Sequence, residues 1–217
     1  MTIKGLYAII DNSFSPRYSH VELAHLMLLG GCRLLQLRIK GKGSAPAWNQ
    51  QAFDISKKIM EFKNEFDFTY IVNDHVDVAG EIGADGVHVG SNDTPVADIR
   101  KRVGNKMMIG FSSHNIDEAV AAERHGADYI ALGAIFPTKT KGPGHPVQGL
   151  ARLKELCSKV TRPIVAIGGI NRTNIESVIQ TGVDSVAMIT GLTQAEDIVS
   201  ETRWYVNKMT ELPSVKK

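Results

Sequence analysis

The sequence has few of the features that mark secreted or nucleic-acid-binding proteins. Its 217 residues include only two cysteines, Cys32 and Cys157, which lie far apart and outside any C-x-x-C motif. A disulfide scaffold or structural zinc site is therefore not expected, and a reducing compartment is favoured. The 25 Lys and Arg residues nearly balance the 23 Asp and Glu, for a net charge of +2. This balance excludes the broad basic surface of a general nucleic-acid binder but not a local anion site.

Long hydrophobic runs are also missing. No apolar stretch approaches the ~18 residues that a membrane-spanning helix needs. The first residues, Met1–Gly5, lead directly into a strand-like run, without the charged and apolar pattern of a secretory leader. We therefore expect a soluble, cytoplasmic protein that binds neither membrane nor nucleic acid.

What is present is a series of short, β-branched apolar runs separated by segments of helical character. Eight runs give about 27 residues per unit, the size of a strand, a helix and two short loops. The runs are Leu6–Ile10, Leu34–Ile39, Phe68–Asn73, Gly86–Gly90, Met107–Ser112, Tyr129–Ile135, Ile164–Gly168 and Ser185–Thr190. One intervening segment, Asp117–His125, is predicted to be a helix with Asp117 in its first turn.

An internal repeat indicates how the units are arranged. Gly31-Cys32-Arg33, Gly83-Ala84-Asp85, Gly126-Ala127-Asp128 and Gly182-Val183-Asp184 precede the even-numbered runs. Each glycine stands where a helix must end with a positive φ before a buried strand begins. Two units per period favour an α/β fold of the (β/α)8 TIM-barrel type over an open doubly wound sheet. We predict one catalytic domain over 1–217, with its core at about 5–210 and a frayed tail from Glu211 to Lys217.

The carboxyl ends of barrel strands hold the active site in this fold, so the residues there are the candidates. After the second run, alternation places Gln36, Arg38 and Lys40 on one side. Either this is a solvated strand end, or the two cations bind a di- or polyphosphate, which we favour. After the third and fourth runs, Asp74 and Asp93 could share Mg²⁺ with phosphate oxygens, although Asp74 alone would suit a helix cap.

The fifth run ends in Ser112-Ser113-His114, a serine and a histidine without an evident third orienting acid. We therefore expect Ser112 to act as a hydrogen-bond donor and not as a hydrolase nucleophile. His88 lies inside the fourth run, where a core role is as compatible with the pattern as a catalytic one. The seven histidines show no metal-ligand spacing.

Two later loops are candidates for phosphate binding. The segment after the sixth run contains Thr138, Lys139, Thr140 and Lys141 and then a glycine-rich stretch, a composition that suits an anion-binding lid or a mobile basic loop. Gly168-Gly169 and Ile189–Gly191 end the seventh and eighth runs, where such barrels bind a monophosphate. The residues thus predict two anion sites on one face of the barrel.

Several motifs in this order resemble thiamine-phosphate synthases. They are LQLRIK at 35–40, VND at 72–74, GADGVHVGSND at 83–93, GFSSH at 110–114, GADYIALGAIFPTKTK at 126–141 and PIVAIGGI at 163–170. The similarity covers roughly Gly5 to Leu192, so it is more specific than any single motif.

The resemblance implies a (β/α)8 barrel that couples a pyrimidine diphosphate ester to a thiazole phosphate ester, through a pyrimidine cation, to give thiamine phosphate and diphosphate. It implies small-molecule phosphate esters as partners and Mg²⁺ as cofactor, held by Asp74 and Asp93. The pyrimidine diphosphate would contact Gln36, Arg38, Lys40, Asn73, Ser112 and Lys141, of which Arg38, Lys40, Ser112 and Lys141 would be catalytic. The thiazole phosphate would contact Thr138, Thr140, Gly169, Ile189 and Thr190.

Three other functions stay open at this point. A sister branch of thiazole tautomerases has a histidine where this chain has Ala134, which argues against that activity. A non-catalytic barrel that binds thiazole or thiamine phosphate would gain little from an acid pair. A phosphate-handling barrel of another pathway would not explain the basic residues with two acids. Ala134 and Ser91 depart from the usual synthase proline and glutamine, and the preferred thiazole tautomer and a homo-oligomeric state stay open.

Overall fold

The computed structural model describes residues 2–15, 17–39, 45–138, 140 and 146–211. Within them, eight parallel strands form a closed barrel in which each strand pairs with its neighbours in sequence and β8 pairs with β1. The (β/α)8 prediction is confirmed. The strands are β1 Gly5–Ile10, β2 Leu34–Leu37, β3 Thr69–Asn73, β4 Gly86–Gly90, β5 Met108–Ser113, β6 Tyr129–Gly133, β7 Ile164–Ile167 and β8 Ser185–Met188.

Helices connect the strands around the outside of the barrel. They are α1 His20–Leu29, α2 Ala45–Glu61, α3 Val76–Glu81, α4 Val96–Val103, α5 Ile116–Arg124, α6 Gly149–Lys159, α7 Ile175–Ile179, α8 Thr190–Thr193 and α9 Ile198–Glu211, with 3-10 turns at Asn12–Phe14 and Phe62–Asn64. Side chains fix where helices begin: Ser19 and Glu22 form a reciprocal capping box at α1, and Asn115 caps α5. No helix in the described part of the chain is both long and apolar enough to cross a bilayer.

Alternation along the strands divides the apolar residues between two cores. Outward positions such as Ala8, Leu35 and Val72 pack against the helices. Inward positions fill the barrel with Tyr7, Ile9, Leu34, Ile71, Tyr129, Ala131, Val165 and Ala187. The inward row becomes polar toward the carboxyl ends of β2 to β5, and this change positions the site.

The repeated glycines lie just before the amino-terminal ends of the even-numbered strands. Gly31, Gly83, Gly126 and Gly182 have φ values of 93°, 67°, 99° and 94°, as the repeat predicts. The residue two positions after each of the last three glycines is an aspartate. Its carboxylate accepts a hydrogen bond from a backbone amide at the start of the preceding odd-numbered strand, at 2.7–2.8 Å, in the pairs Asp85–Tyr70, Asp128–Ile109 and Asp184–Ile164.

Element ends differ from the predicted ones by one or two residues. Helix α5 begins at Ile116, one residue earlier than predicted, because Asn115 accepts from the Glu118 amide and starts the helix. Strand β2 ends at Leu37, yet the Arg38 amide still donates to the Ile10 carbonyl at 3.0 Å. The predicted tail begins inside α9, since Glu211 is helical, and 212–217 lie outside the described residues.

Candidate active site

A cavity that is open to solvent lies over the carboxyl ends of the strands. Nine of the predicted site residues line it: Gln36, Arg38, Asn73, Ser112, Thr138, Thr140, Gly169, Ile189 and Thr190. These residues form two groups, because the strands follow one another around the barrel. Polar groups from β2 to β5 lie on one half of the rim, and the loops after β6, β7 and β8 lie on the other.

Arg38 forms an ion pair with Asp11, which follows β1. The Asp11 carboxylate is buried and also accepts from the Ser13 amide at 3.0 Å and from the Ser13 hydroxyl. Because Asp11 is held from two sides, it fixes the direction of the guanidinium, which stays partly exposed and lines the cavity. A guanidinium with a fixed orientation is suited to bidentate binding of phosphate oxygens.

Gln36 and Asn73 occupy inward positions on neighbouring strands. The Gln36 amide nitrogen donates to the Tyr7 hydroxyl at 2.7 Å, so Gln36 has its carbonyl oxygen to offer a ligand. The Asn73 amide nitrogen is buried and has no hydrogen-bond partner among the described residues. An unpaired buried donor costs about 1–3 kcal/mol, which a ligand acceptor in the cavity would recover.

The two candidate metal ligands follow adjacent strands. The Asp74 amide donates to the His88 carbonyl at 2.9 Å, which continues the β3–β4 ladder, and Asp74 has a left-handed φ of 64°. Asp93 folds back over the end of β4, where its Oδ2 accepts from the Gly90 amide at 2.8 Å. Helix α3 begins at Val76 after His75, without a side-chain cap. Carboxylates are suitable ligands for Mg²⁺, but neither Asp74 nor Asp93 is among the residues that line the cavity, so the paired metal ligands stay a prediction.

Ser112 is hydrogen-bonded to a histidine, but not to His114, which is two residues away in sequence. Its hydroxyl lies 2.8 Å from His88 Nε2, while His114 contacts Glu118 at 3.2 Å. The other ring nitrogen of His88 contacts the Tyr129 hydroxyl at 3.0 Å. His88 is therefore a buried, hydrogen-bonded residue that also lines the cavity. In place of a catalytic acid, a neutral phenol orients its ring.

The loop after β6 carries the threonine pair. Thr138 Oγ1 lies 3.1 Å from Thr140 Oγ1 and accepts from the Thr140 amide at 3.3 Å, so the two hydroxyls are held together at the cavity wall. The return of this loop is attached to the barrel by the Gln148 amide, which donates to the Ala134 carbonyl at 2.8 Å. Lys139 and Lys141 of the same loop, and Lys40 after β2, lie outside the described residues.

The glycine pair after β7 packs directly against this loop. A Cβ on Gly168 would lie 2.7 Å from Ala134 Cα, and one on Gly169 would lie 2.6 Å from the Pro137 carbonyl. Both glycines have positive φ. The pair therefore has a role the sequence did not indicate, since it lets the β6 and β7 loops meet at the rim.

Three residues of the site were not found from the sequence. Tyr7 and Tyr129 read as ordinary core positions because each follows the inward alternation of its strand. Asp11 directly follows the first run and is not among the candidates predicted from the sequence. The signal for Asp11 is an acid directly after a strand, the feature that singled out Asp74. For the tyrosines, the signal is a hydroxyl on an inward position that needs a partner inside the barrel.

Comparison with known proteins agrees with this geometry. The family model described as thiamine monophosphate synthase matches residues 6–192. The chain belongs to this family. It is 39% identical to the thiamine-phosphate synthase of Clostridium novyi over 93% of this chain and 97% of that one, and 36% identical to that of Methanospirillum hungatei over 94% and 97%. The expected class, a transferase of thiamine biosynthesis, is confirmed.

Solved structures give the same family and the same fold. The thiamine phosphate pyrophosphorylase of Pyrococcus furiosus is 35% identical, with a TM-score of 0.83 over 95% of each chain. A 3-hexulose-6-phosphate synthase, at 16% identity and a TM-score of 0.67 over 93% of this chain and 99% of that one, shares the fold alone.

Proposed function

We propose that this enzyme joins 4-amino-2-methyl-5-(diphosphooxymethyl)pyrimidine to a thiazole phosphate, or to a carboxythiazole phosphate with loss of CO₂, to give thiamine phosphate and diphosphate. The observation that carries the proposal is the division of the cavity rim. One half presents an oriented guanidinium and an unpaired amide donor, and the other presents two hydroxyls beside glycine-rich loops. Two phosphorylated substrates require two such regions.

The first half suits the pyrimidine diphosphate. Arg38 would bind the diphosphate oxygens, and Asn73 would donate its free amide hydrogen to the same substrate. Gln36 would accept from the pyrimidine amine through its carbonyl oxygen, because its nitrogen is bonded to Tyr7. Ser112 would donate to the substrate from the end of β5. Lys40 and Lys141 are proposed as further cationic ligands from their positions in the family motifs.

The second half suits the thiazole phosphate. Thr138 and Thr140 would donate their hydroxyls to the phosphate. The amide of Gly169 after β7 would complete its site together with the amides of Ile189 and Thr190 at the start of α8, which lack intrahelical acceptors. The thiazole nitrogen would then face the pyrimidine methylene across the cavity.

The reaction breaks the bond between the methylene carbon and the diphosphate oxygen, and the electron pair leaves with diphosphate. The thiazole nitrogen then donates its lone pair to the resulting pyrimidine cation. Mg²⁺ held by Asp74 and Asp93 would neutralise charge on the departing diphosphate. Arg38 does the same from a fixed position, which lowers the barrier because little reorganisation is needed. No covalent nucleophile is required, which agrees with the use of Ser112 as a hydrogen-bond donor.

The test is to mix pure protein, Mg²⁺ and the two substrates and to follow diphosphate and thiamine phosphate together. Equal appearance of both supports the transferase. Binding of thiazole phosphate without diphosphate release, or isomerisation of a thiazole carboxylate alone, would refute it.

Two comparisons make this assay specific for the site. Arg38→Gln should lower kcat/KM about 100-fold, through loss of a charged contact worth about 3 kcal/mol, whereas Arg124→Gln on the exposed part of α5 should not. Chelation should abolish activity and added Mg²⁺ should restore it. Asp93→Asn should raise the Mg²⁺ concentration that gives half the maximal rate.

For the location of this chemistry we propose the cytoplasm. Support comes from Cys32 and Cys157, which are both buried and form no disulfide in the described part of the chain.

A further inference from the structure

Four hydrogen bonds cross the interior of the barrel in one continuous chain. The Gln36 amide nitrogen lies 2.7 Å from the Tyr7 hydroxyl, which lies 2.9 Å from the Tyr129 hydroxyl. Tyr129 lies 3.0 Å from His88 Nδ1, and His88 Nε2 lies 2.8 Å from Ser112 Oγ. The chain begins on β2 and ends at a serine on the cavity wall.

The barrel is built to hold this chain. Gly110 occupies an inward position of β5 beside the rings of Tyr129 and His88. A Cβ on Gly110 would lie 2.0 Å from the Tyr129 ring and 2.5 Å from His88 Nδ1. With that space free, the His88 and Tyr129 rings stack at 5.4 Å. Both tyrosines are almost completely buried, so water does not replace their partners.

The donor and acceptor properties of these groups give the series of hydrogen bonds a direction. An amide NH₂ can only donate, so the Tyr7 oxygen accepts from Gln36. The Tyr7 proton is then available to the Tyr129 oxygen, and in that arrangement Tyr129 donates to His88 Nδ1. A neutral imidazole that accepts at Nδ1 carries its proton on Nε2, and that proton goes to the Ser112 oxygen. The serine proton is left to point away from His88.

We infer that His88 and Tyr129, with Tyr7 and Gln36, are positioning residues that make Ser112 a hydrogen-bond donor toward the bound substrate. Without the chain, Ser112 could donate its proton to His88 instead and present only its lone pairs. The inference deepens the proposed function, on which its catalytic consequence rests. Burial raises the pKa of Tyr7 and of Tyr129, so both phenols stay protonated and able to donate.

The direction can be measured on the free protein, without substrate or activity. Nitrogen-15 NMR of the imidazoles, with the His88 signals assigned by their loss in His88→Gln, separates a protonated nitrogen from an accepting one. We expect His88 to carry its proton on Nε2 and to accept on Nδ1. A proton on Nδ1, or an imidazolium at neutral pH, would overturn the inference whatever reaction the enzyme catalyses.

The effect on Ser112 is tested by removing one hydroxyl in the middle of the chain. Tyr129→Phe should mix the two His88 tautomers and lower kcat about tenfold with little change in KM. Tyr70→Phe is the matched control, because Tyr70 is equally buried but donates to Ser56 on the outer side of the barrel, at 3.0 Å. It should change neither kcat nor the tautomer.

The two hypotheses fail in different ways. If Tyr129→Phe mixes the tautomers but leaves kcat at the wild-type value, Ser112 does not depend on the chain and the inference is wrong. If the wild-type protein has the expected tautomer but forms no thiamine phosphate, the proposed function fails, and with it the catalytic role assigned to the chain.

Discussion

The ion pair between Asp11 and Arg38 combines two effects of opposite sign on catalysis. The carboxylate fixes the guanidinium, which favours a precise contact with phosphate, but its charge also weakens the attraction of Arg38 for an anion. Fixed orientation contributes most in the transition state, where charge moves onto the leaving group. The partial neutralisation of the Arg38 charge by Asp11 weakens binding of the substrate and of the transition state equally. The two effects therefore separate in kcat and KM.

We expect Asp11→Asn to lower kcat about tenfold and to leave KM for the pyrimidine diphosphate nearly unchanged, because orientation is the larger effect. Steady-state kinetics measures both parameters, and a thermal melt shows that the variant is folded. Ser13→Ala is the matched control, since it removes one hydroxyl from the same carboxylate but leaves the ion pair. A lower KM with an unchanged kcat would show that Asp11 acts only by reducing the local charge.

At the level of single residues, the sequence was informative wherever alternation alone decides the outcome. Gln36, Arg38 and Asn73 line the cavity because side chains at inward positions near the carboxyl end of a barrel strand face the cavity. It was less informative where a partner is distant in the chain. Ser112 pairs with His88, which is 24 positions away, and not with His114, which is two positions away. Strand register decides this contact, since Gly90 and Ser112 are paired across β4 and β5.

Among the elements, the loops after β6 and β7 behave as one unit at the rim. The Ile135 and Phe136 amides donate to the carbonyls of Ile167 and Gly168, both at 3.0 Å. Gly168 has a φ of 100° and is in contact with Ala134. The position of the threonine pair therefore depends on a glycine in another loop.

Gly168→Ala should destabilise the protein by more than 2 kcal/mol and raise KM for the thiazole phosphate severalfold. Backbone strain alone costs about 1–3 kcal/mol, and the added Cβ must also displace the backbone at Ala134. Urea denaturation and steady-state kinetics measure the two effects. Gly5→Ala separates them, because Gly5 has a φ of 82° but open space around it. That control should lose stability without a change in KM, and an unchanged KM in Gly168→Ala would contradict the link between the loops.

For the whole molecule, the glycine repeat predicted the closed barrel, but the reason for its third residue became visible only in the structure. In Asp85, Asp128 and Asp184 the carboxylate accepts an amide hydrogen from one strand, while the backbone amide of the same aspartate donates to that strand's carbonyl. Each aspartate thus closes a two-bond clamp between an even strand and the odd strand before it. Sequence spacing cannot give this, because the partner amide is 15 to 20 residues earlier.

Asp184 gives the simplest test of these clamps, because Asp85 and Asp128 also form ion pairs with Lys63 and Arg100. Asp184→Ala should lower the free energy of unfolding by about 1 kcal/mol, since the Ile164 amide loses its side-chain acceptor. Asp184→Asn keeps an acceptor oxygen and should lose clearly less. Urea denaturation of both variants measures the difference. Equal losses would mean that the charge of Asp184, and not its hydrogen bond, holds β7 against β8. A larger loss in Asp184→Ala than in Asp184→Asn would identify the aspartate of the repeat as the residue that fixes strand register at the amino-terminal end of the barrel.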